Sequence, residues 1–147
     1  MAIRRIYKEI TGLVRTLPDT GWQVFVNEDN VFEWKIALKG PPETCYQEGI
    51  FWIKLSFPAD YPFKAPTFIF LTNILHPNIT EDGYTSFGYY NNWSPSITIG
   101  MLIKHIITWL VNPNPDEPAN WEVAWLMKSN RPKYEAKVKK NIKKYAS

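Results

Sequence analysis

With 147 residues, 45% of them apolar, the chain can bury one core, and nothing in it asks for a second domain, so residues 1–147 are expected to form a single unit. A net charge of +3, no apolar run near eighteen residues, no charged leader and no repeat argue against a transmembrane span and a secretory signal, and place the protein in the cytoplasm, the nucleus or both. The single cysteine, Cys45, cannot close an internal disulfide, and His76 and His105 have no cysteines at metal-ligand spacing, so no metal site is expected.

The N-terminus predicts an amphipathic helix ending near residue 15, because Ile3, Ile6, Ile10, Leu13 and Val14 recur at helical spacing with Arg4, Arg5, Lys8 and Glu9 around the other side. Strands are predicted over 22–26, 32–39, 50–57 and 67–71, the second from the alternation of Trp34, Ile36 and Leu38 with Lys35, Ala37 and Lys39. Short connections between them predict an antiparallel meander. Between the last two strands runs FPADYPFKAP, whose three prolines preset the backbone and predict a stiff, solvent-facing loop carrying Tyr61 and Phe63.

Residues 76–96, HPNITEDGYTSFGYYNNWSPS, are dense in turn-forming pairs and predict a long loop, of a length that in a small domain is usually functional or disordered. Its aromatic residues favour a loop that packs on the domain. Residues 97–111 are apolar almost all round and predict a central buried helix, stopped by Asn112-Pro113-Asn114-Pro115. Two further helices are predicted over about 120–128 and 132–146. The order of one helix, four strands and three helices is an α+β domain with helices against one face of an antiparallel sheet.

Eight of the seventeen basic residues lie between Lys128 and Lys144. Tyr134, Val138, Ile142 and Tyr145 recur at helical spacing through the same segment, which sets the lysines on a solvated face in preference to a nucleic-acid or membrane site.

Taken together, GPPETCYQEGIF (40–51), FPADYPFKAP (57–66), HPNI (76–79), Gly83, NWSPSITI (92–99), NPNPDEP (112–118) and KYA (144–146) resemble, in order and spacing, the ubiquitin-conjugating enzyme family, over essentially the full length of the chain. The nearest pattern is that of the short members without extensions. The resemblance implies the sheet-and-helices fold, an acyl transfer with no cofactor, a monomer, and three kinds of partner: ubiquitin, a ubiquitin-activating enzyme, and a RING, U-box or HECT ligase.

In that family a cysteine carries the ubiquitin C-terminus as a thioester, and the matching position here is Ser86. A thiol supplies thiolate at neutral pH, whereas a serine hydroxyl needs an adjacent base. His76 is the one candidate base in the segment, but the resemblance gives His76 and Pro77 a loop-supporting role. Asn78 matches a side-chain amide that either stabilises the developing oxyanion or braces the loop beside it. Where the family has leucine and aspartate after the nucleophile, this chain has Phe87 and Gly88 and a loop shorter by one residue. The missing carboxylate leaves Asp116 and Glu117 as substitutes for orienting an attacking lysine. Cys45 lies in a segment that reads as structural and not as a displaced nucleophile.

The resemblance also implies a ligase-binding surface of Arg5, Lys8, Phe63, Pro95 and Ser96, and a second surface on the outer sheet, used by some members for free ubiquitin, that would include Trp22 and Gln23. Ser86 is open to two explanations: a Cys-to-Ser substitution that silences the enzyme or holds ubiquitin as a stable oxyester, or a natural non-catalytic adaptor that binds ligases or ubiquitin. A basic nucleic-acid-binding domain is the remote third reading.

Overall fold

The computed structural model describes residues 2–14, 21–85 and 92–147; Ser86, Phe87 and Gly88 lie outside the described residues. Helix α1 (Ala2–Val14) leads into strands β1 (Trp22–Val26), β2 (Glu33–Lys39), β3 (Ile50–Ser56) and β4 (Thr67–Phe70), followed by helices α2 (Ile99–Val111), α3 (Trp121–Ser129) and α4 (Arg131–Tyr145). The strands pair antiparallel in sequence order.

Register follows the period-two pattern. Trp34 faces Leu55, Ile36 faces Ile53 and Leu38 faces Phe51, while β4 sets Phe68 and Phe70 beside Leu55 and Ile53. All eight side chains are buried. At about 1.5–3 kcal/mol for each large apolar side chain removed from water, this face supplies much of the drive to fold, and a slip of one residue would turn the whole set outward. On the other face Phe25 meets Trp52 with ring centroids 5.5 Å apart, both partly exposed.

The helices cover the inner face. From α2 come Ile99, Leu102, Ile103, Ile106 and Leu110, with Met101 and Val111 left in solvent, so the apolar run expected on nearly all sides has one broad buried face. Helices α2, α3 and α4 start on side-chain caps: Thr98, Asn120 and Asn130 accept hydrogen bonds from the amides of Met101, Val123 and Lys133. Helix α4 buries Tyr134, Val138 and Ile142 as the spacing predicts. Its fourth expected core residue, Tyr145, is half exposed with the Lys144 ammonium 5.1 Å from its ring centre, and Ala146 is buried instead.

Helix α1 departs from its apolar pattern in one respect. The buried stripe is Ala2, Ile6, Glu9 and Leu13, with Ile3 exposed. A glutamate holds a core position because its carboxylate finds three donors there: the Arg5 guanidinium, the Tyr61 hydroxyl and the Ile99 amide.

Candidate functional site

The loop after β4 is built on hydrogen bonds that tie it to two other segments. Nδ1 of His76 accepts the amide of Asn78 at 2.9 Å, which places the ring proton on Nε2, and that nitrogen donates to the carbonyl of Trp109 in α2 at 2.7 Å. The ring is fully buried beside Tyr46, and burial pushes its pKa down to about 4. A neutral imidazole with both nitrogens committed is a structural pin, and neither nitrogen is available to serve as a general base. Pro77 contributes its carbonyl, which accepts the amides of Ala119 and Asn120 at 2.8 and 3.0 Å.

Asn78 completes the tie. Its side-chain nitrogen donates to the carbonyls of Asn114 at 2.8 Å and Glu117 at 3.0 Å, and its Oδ1 accepts the amide of Asn114 at 2.8 Å. The residue is 1% exposed. Of the two roles the resemblance implies, brace or oxyanion donor, these contacts fit the brace, with the amide nitrogen donating to two carbonyls of the 112–118 loop. That loop carries Asp116 and Glu117 outward. Asp116 is exposed and pairs with Lys128 at 2.7 Å, and the exposed Glu117 stands on the same stretch.

Gly83 shows why the approach to residue 86 needs glycine at this point. Its φ is +90°, and a Cβ there would run into the carbonyl oxygen of Phe70. Its own carbonyl accepts the Phe70 amide, so the segment lies along the β4 edge and is aligned by Ile69–Tyr84 and Ile79–Thr85 bridges. Ser86 is the next residue in the chain.

A second cluster joins α1, the proline-rich loop and residues 93–97. Arg5 donates through Nε to Oε1 of Glu9 at 3.0 Å and through Nη2 to the carbonyl of Pro95 at 2.6 Å, with its guanidinium 5.7 Å from the centre of the Tyr61 ring. Glu9 also accepts the Tyr61 hydroxyl at 3.2 Å and the Ile99 amide at 3.1 Å, the latter at the first turn of α2 where a carboxylate is favoured. Indole Nε1 of Trp93 donates to the carbonyl of Pro62 at 2.8 Å. Tyr61, expected in solvent, is therefore buried: its ring stacks edge-on against Phe57 at 4.6 Å, and burial next to Glu9 raises its pKa well above the usual tyrosine range.

These bonds bring the expected ligase-binding residues into one region. Arg5 touches the Pro95 carbonyl, Pro95 and Ser96 are exposed, and Phe63 is 65% exposed on the loop that Trp93 holds. Lys8, also exposed, lines a groove of about 640 Å³ between α1 and the start of α2, with Trp22, Met101 and Lys104. The outer-sheet expectation needs correction for Trp22: only Gln23 faces outward, while Trp22 is buried on the helix side because the alternation of β1 turns it inward. Glu9 is the residue that a reading of the sequence missed. The available signal was the Arg5–Glu9 spacing of four, which marks an ion pair but not its burial.

Cys45 is half-buried next to Tyr134, and burial raises its thiol pKa, the opposite of an activated nucleophile. Among the described residues no group of three histidine, cysteine, aspartate or glutamate side chains could hold a metal ion, and no helix is long and apolar enough to cross a membrane.

The sequence profile described as ubiquitin-conjugating enzyme matches residues 5–142. Among solved structures, the E2 domain of a Toxoplasma gondii ubiquitin conjugating enzyme superposes with a TM-score of 0.91 at 29% identity, covering 100% of both chains.

Proposed function

Because this chain belongs to the ubiquitin-conjugating enzyme family, we propose that its residue-86 position accepts ubiquitin from a ubiquitin-activating enzyme and passes it, with a RING, U-box or HECT ligase, to a substrate lysine. Ser86 in place of cysteine makes the present form inactive or oxyester-trapping. The observation that supports the carrier reading best is the bracing of the 112–118 loop by Asn78, reinforced by the Pro77 carbonyl, through hydrogen bonds no longer than 3.0 Å.

The chemistry follows from the residue types. Ubiquitin arrives as a thioester on the activating enzyme. Attack by Ser86 Oγ on that carbonyl forms a C–O bond, breaks the C–S bond, and sends the serine proton to the departing thiolate. The pinned, neutral His76 is no base for this step, so loading is slow. Onward transfer is slower still, because an alkoxide is a far worse leaving group than a thiolate. Asp116 and Glu117 are the acids we assign to orienting an incoming lysine, in place of the aspartate that Gly88 replaces.

Incubation with activating enzyme, ATP and ubiquitin tests the assignment. The adduct expected is an ester at Ser86, stable to mild thiol and cleaved by hydroxide. A thiol-labile adduct that vanishes in Cys45→Ala would move the acceptor to Cys45 and refute the proposal. Ser86 itself favours a second reading, a non-catalytic adaptor that binds ligases or ubiquitin; this predicts no adduct from either the unaltered chain or its Ser86→Cys variant, with ligase binding intact.

A further inference from the structure

Helices α3 and α4 carry a surface that the carrier reading does not use. Trp121 and Trp125 stand one turn apart on α3, 76% and 68% exposed, the two most exposed large apolar side chains among the described residues. Neither enters the core, which α3 reaches through Val123, Ala124 and Met127. Across a groove of about 320 Å³, lined by Leu75, Trp125 and Leu126 at its apolar side, α4 presents Lys133 and Lys137. The strip continues along α4 through Lys140 and Lys144, and none of these four lysines has an acidic partner within ion-pair distance among the described residues. Glu122 and Glu81 are the acidic groups at the groove, and Glu135 on α4 pairs with Arg131 at 3.6 Å.

We propose that this α3–α4 face binds peripherally to an anionic membrane surface, with Trp121 and Trp125 seated at the headgroup level and the α4 lysines against acidic lipids. Neither helix is apolar enough to span a bilayer, but surface attachment needs a different pattern: aromatic rings with one wet edge beside a run of lysines. Charge complementarity selects the occupant. Lysines are depleted from the cores of protein interfaces, which weighs against a protein partner at the strip. Single-stranded nucleic acid also uses aromatics and cations, but there the stacking aromatics lie in the basic groove that tracks the phosphates, whereas Trp121, the more exposed of the two tryptophans, does not line this groove.

Flotation of the intact protein with vesicles tests the proposal, using phosphatidylcholine alone or with about a third phosphatidylserine. The expected result at about 0.15 M salt is binding to the acidic vesicles only, released at about 1 M salt where screening is nearly complete. Trp121→Ala with Trp125→Ala removes only exposed side chains and should weaken partitioning more than about ten-fold. Lys133→Gln with Lys137→Gln should weaken it by about 30-fold, at roughly five-fold per lysine. No binding to acidic vesicles, equal binding to neutral ones, unchanged binding in both variants, or tighter binding to single-stranded polyuridylate that depends on the tryptophans would overturn it.

Discussion

Asn78 is buried, and three side-chain hydrogen bonds join it to backbone groups of the 112–118 loop. Truncation to alanine leaves the Asn114 amide and two carbonyls without these partners, so Asn78→Ala should lower stability by about 1–3 kcal/mol in urea unfolding. An Asn78 that acted only on a reacting carbonyl would leave stability unchanged. His76 makes a second prediction at this scale. Its folded pKa of about 4 lies below the value near 6.5 expected in the unfolded chain, so the unfolded state takes up the proton first as pH falls. Its contribution is complete above about pH 6.5 and is lost as pH drops toward 4, by about 3 kcal/mol over that window. Nitrogen NMR at a pH of about 5.5, between those two values, should show a neutral His76 imidazole protonated on Nε2. A ring already charged at that pH would contradict the pinned arrangement.

At the scale of elements, three pieces of chain meet because Glu9 and Trp93 join them: α1, the 57–66 loop and the 93–97 segment. The pinned loops hold Phe63 in solvent. Phe63→Ala should weaken binding to a RING or U-box domain by about 1–3 kcal/mol, the loss expected when an interface aromatic is truncated. Lys140 and Lys143 on α4 serve as the control, and their replacement should leave that binding nearly unchanged. A titration of both variants at two salt concentrations separates the cases, since a merely basic surface would respond to the lysines and to salt more than to the aromatic.

Periodicity made these elements legible, and it failed where burial depends on distant partners. Each strand and helix lies within about two residues of its expected limits, because Trp34-Ile36-Leu38 and Tyr134-Val138-Ile142 state their periods openly. Tyr61 reads as exposed because prolines flank it, and only the fold supplies Phe57 and Glu9 as its neighbours. Glu9 reads as solvated for the same reason. Trp22 shows a different limit: a five-residue strand has two faces, and which one meets the helices is set by pairing to β2. In the site, the motif spacing identified His76, Pro77 and Asn78 as a unit, but the partners that decide their roles lie more than thirty residues away at Trp109, Asn114 and Glu117.

For the molecule as a whole, the family fold and the braced loops come with a serine, a poorer nucleophile than cysteine, at the position we propose to carry ubiquitin. A serine differs from a cysteine by one atom, and the hydrogen bonds that tie His76, Pro77 and Asn78 to Trp109, the 112–118 loop and residues 119–120 are made by other groups. We expect loading at residue 86 to be limited by its nucleophile, while Gly88 and the shortened loop bear on the later transfer to lysine. The direct measurement is the Ser86→Cys variant incubated with activating enzyme, ATP and ubiquitin, resolved with and without thiol. A ubiquitin adduct that thiol removes is the expected result. A variant that remains folded by circular dichroism, binds a ligase domain and yet forms no thiol-sensitive adduct would contradict the carrier assignment.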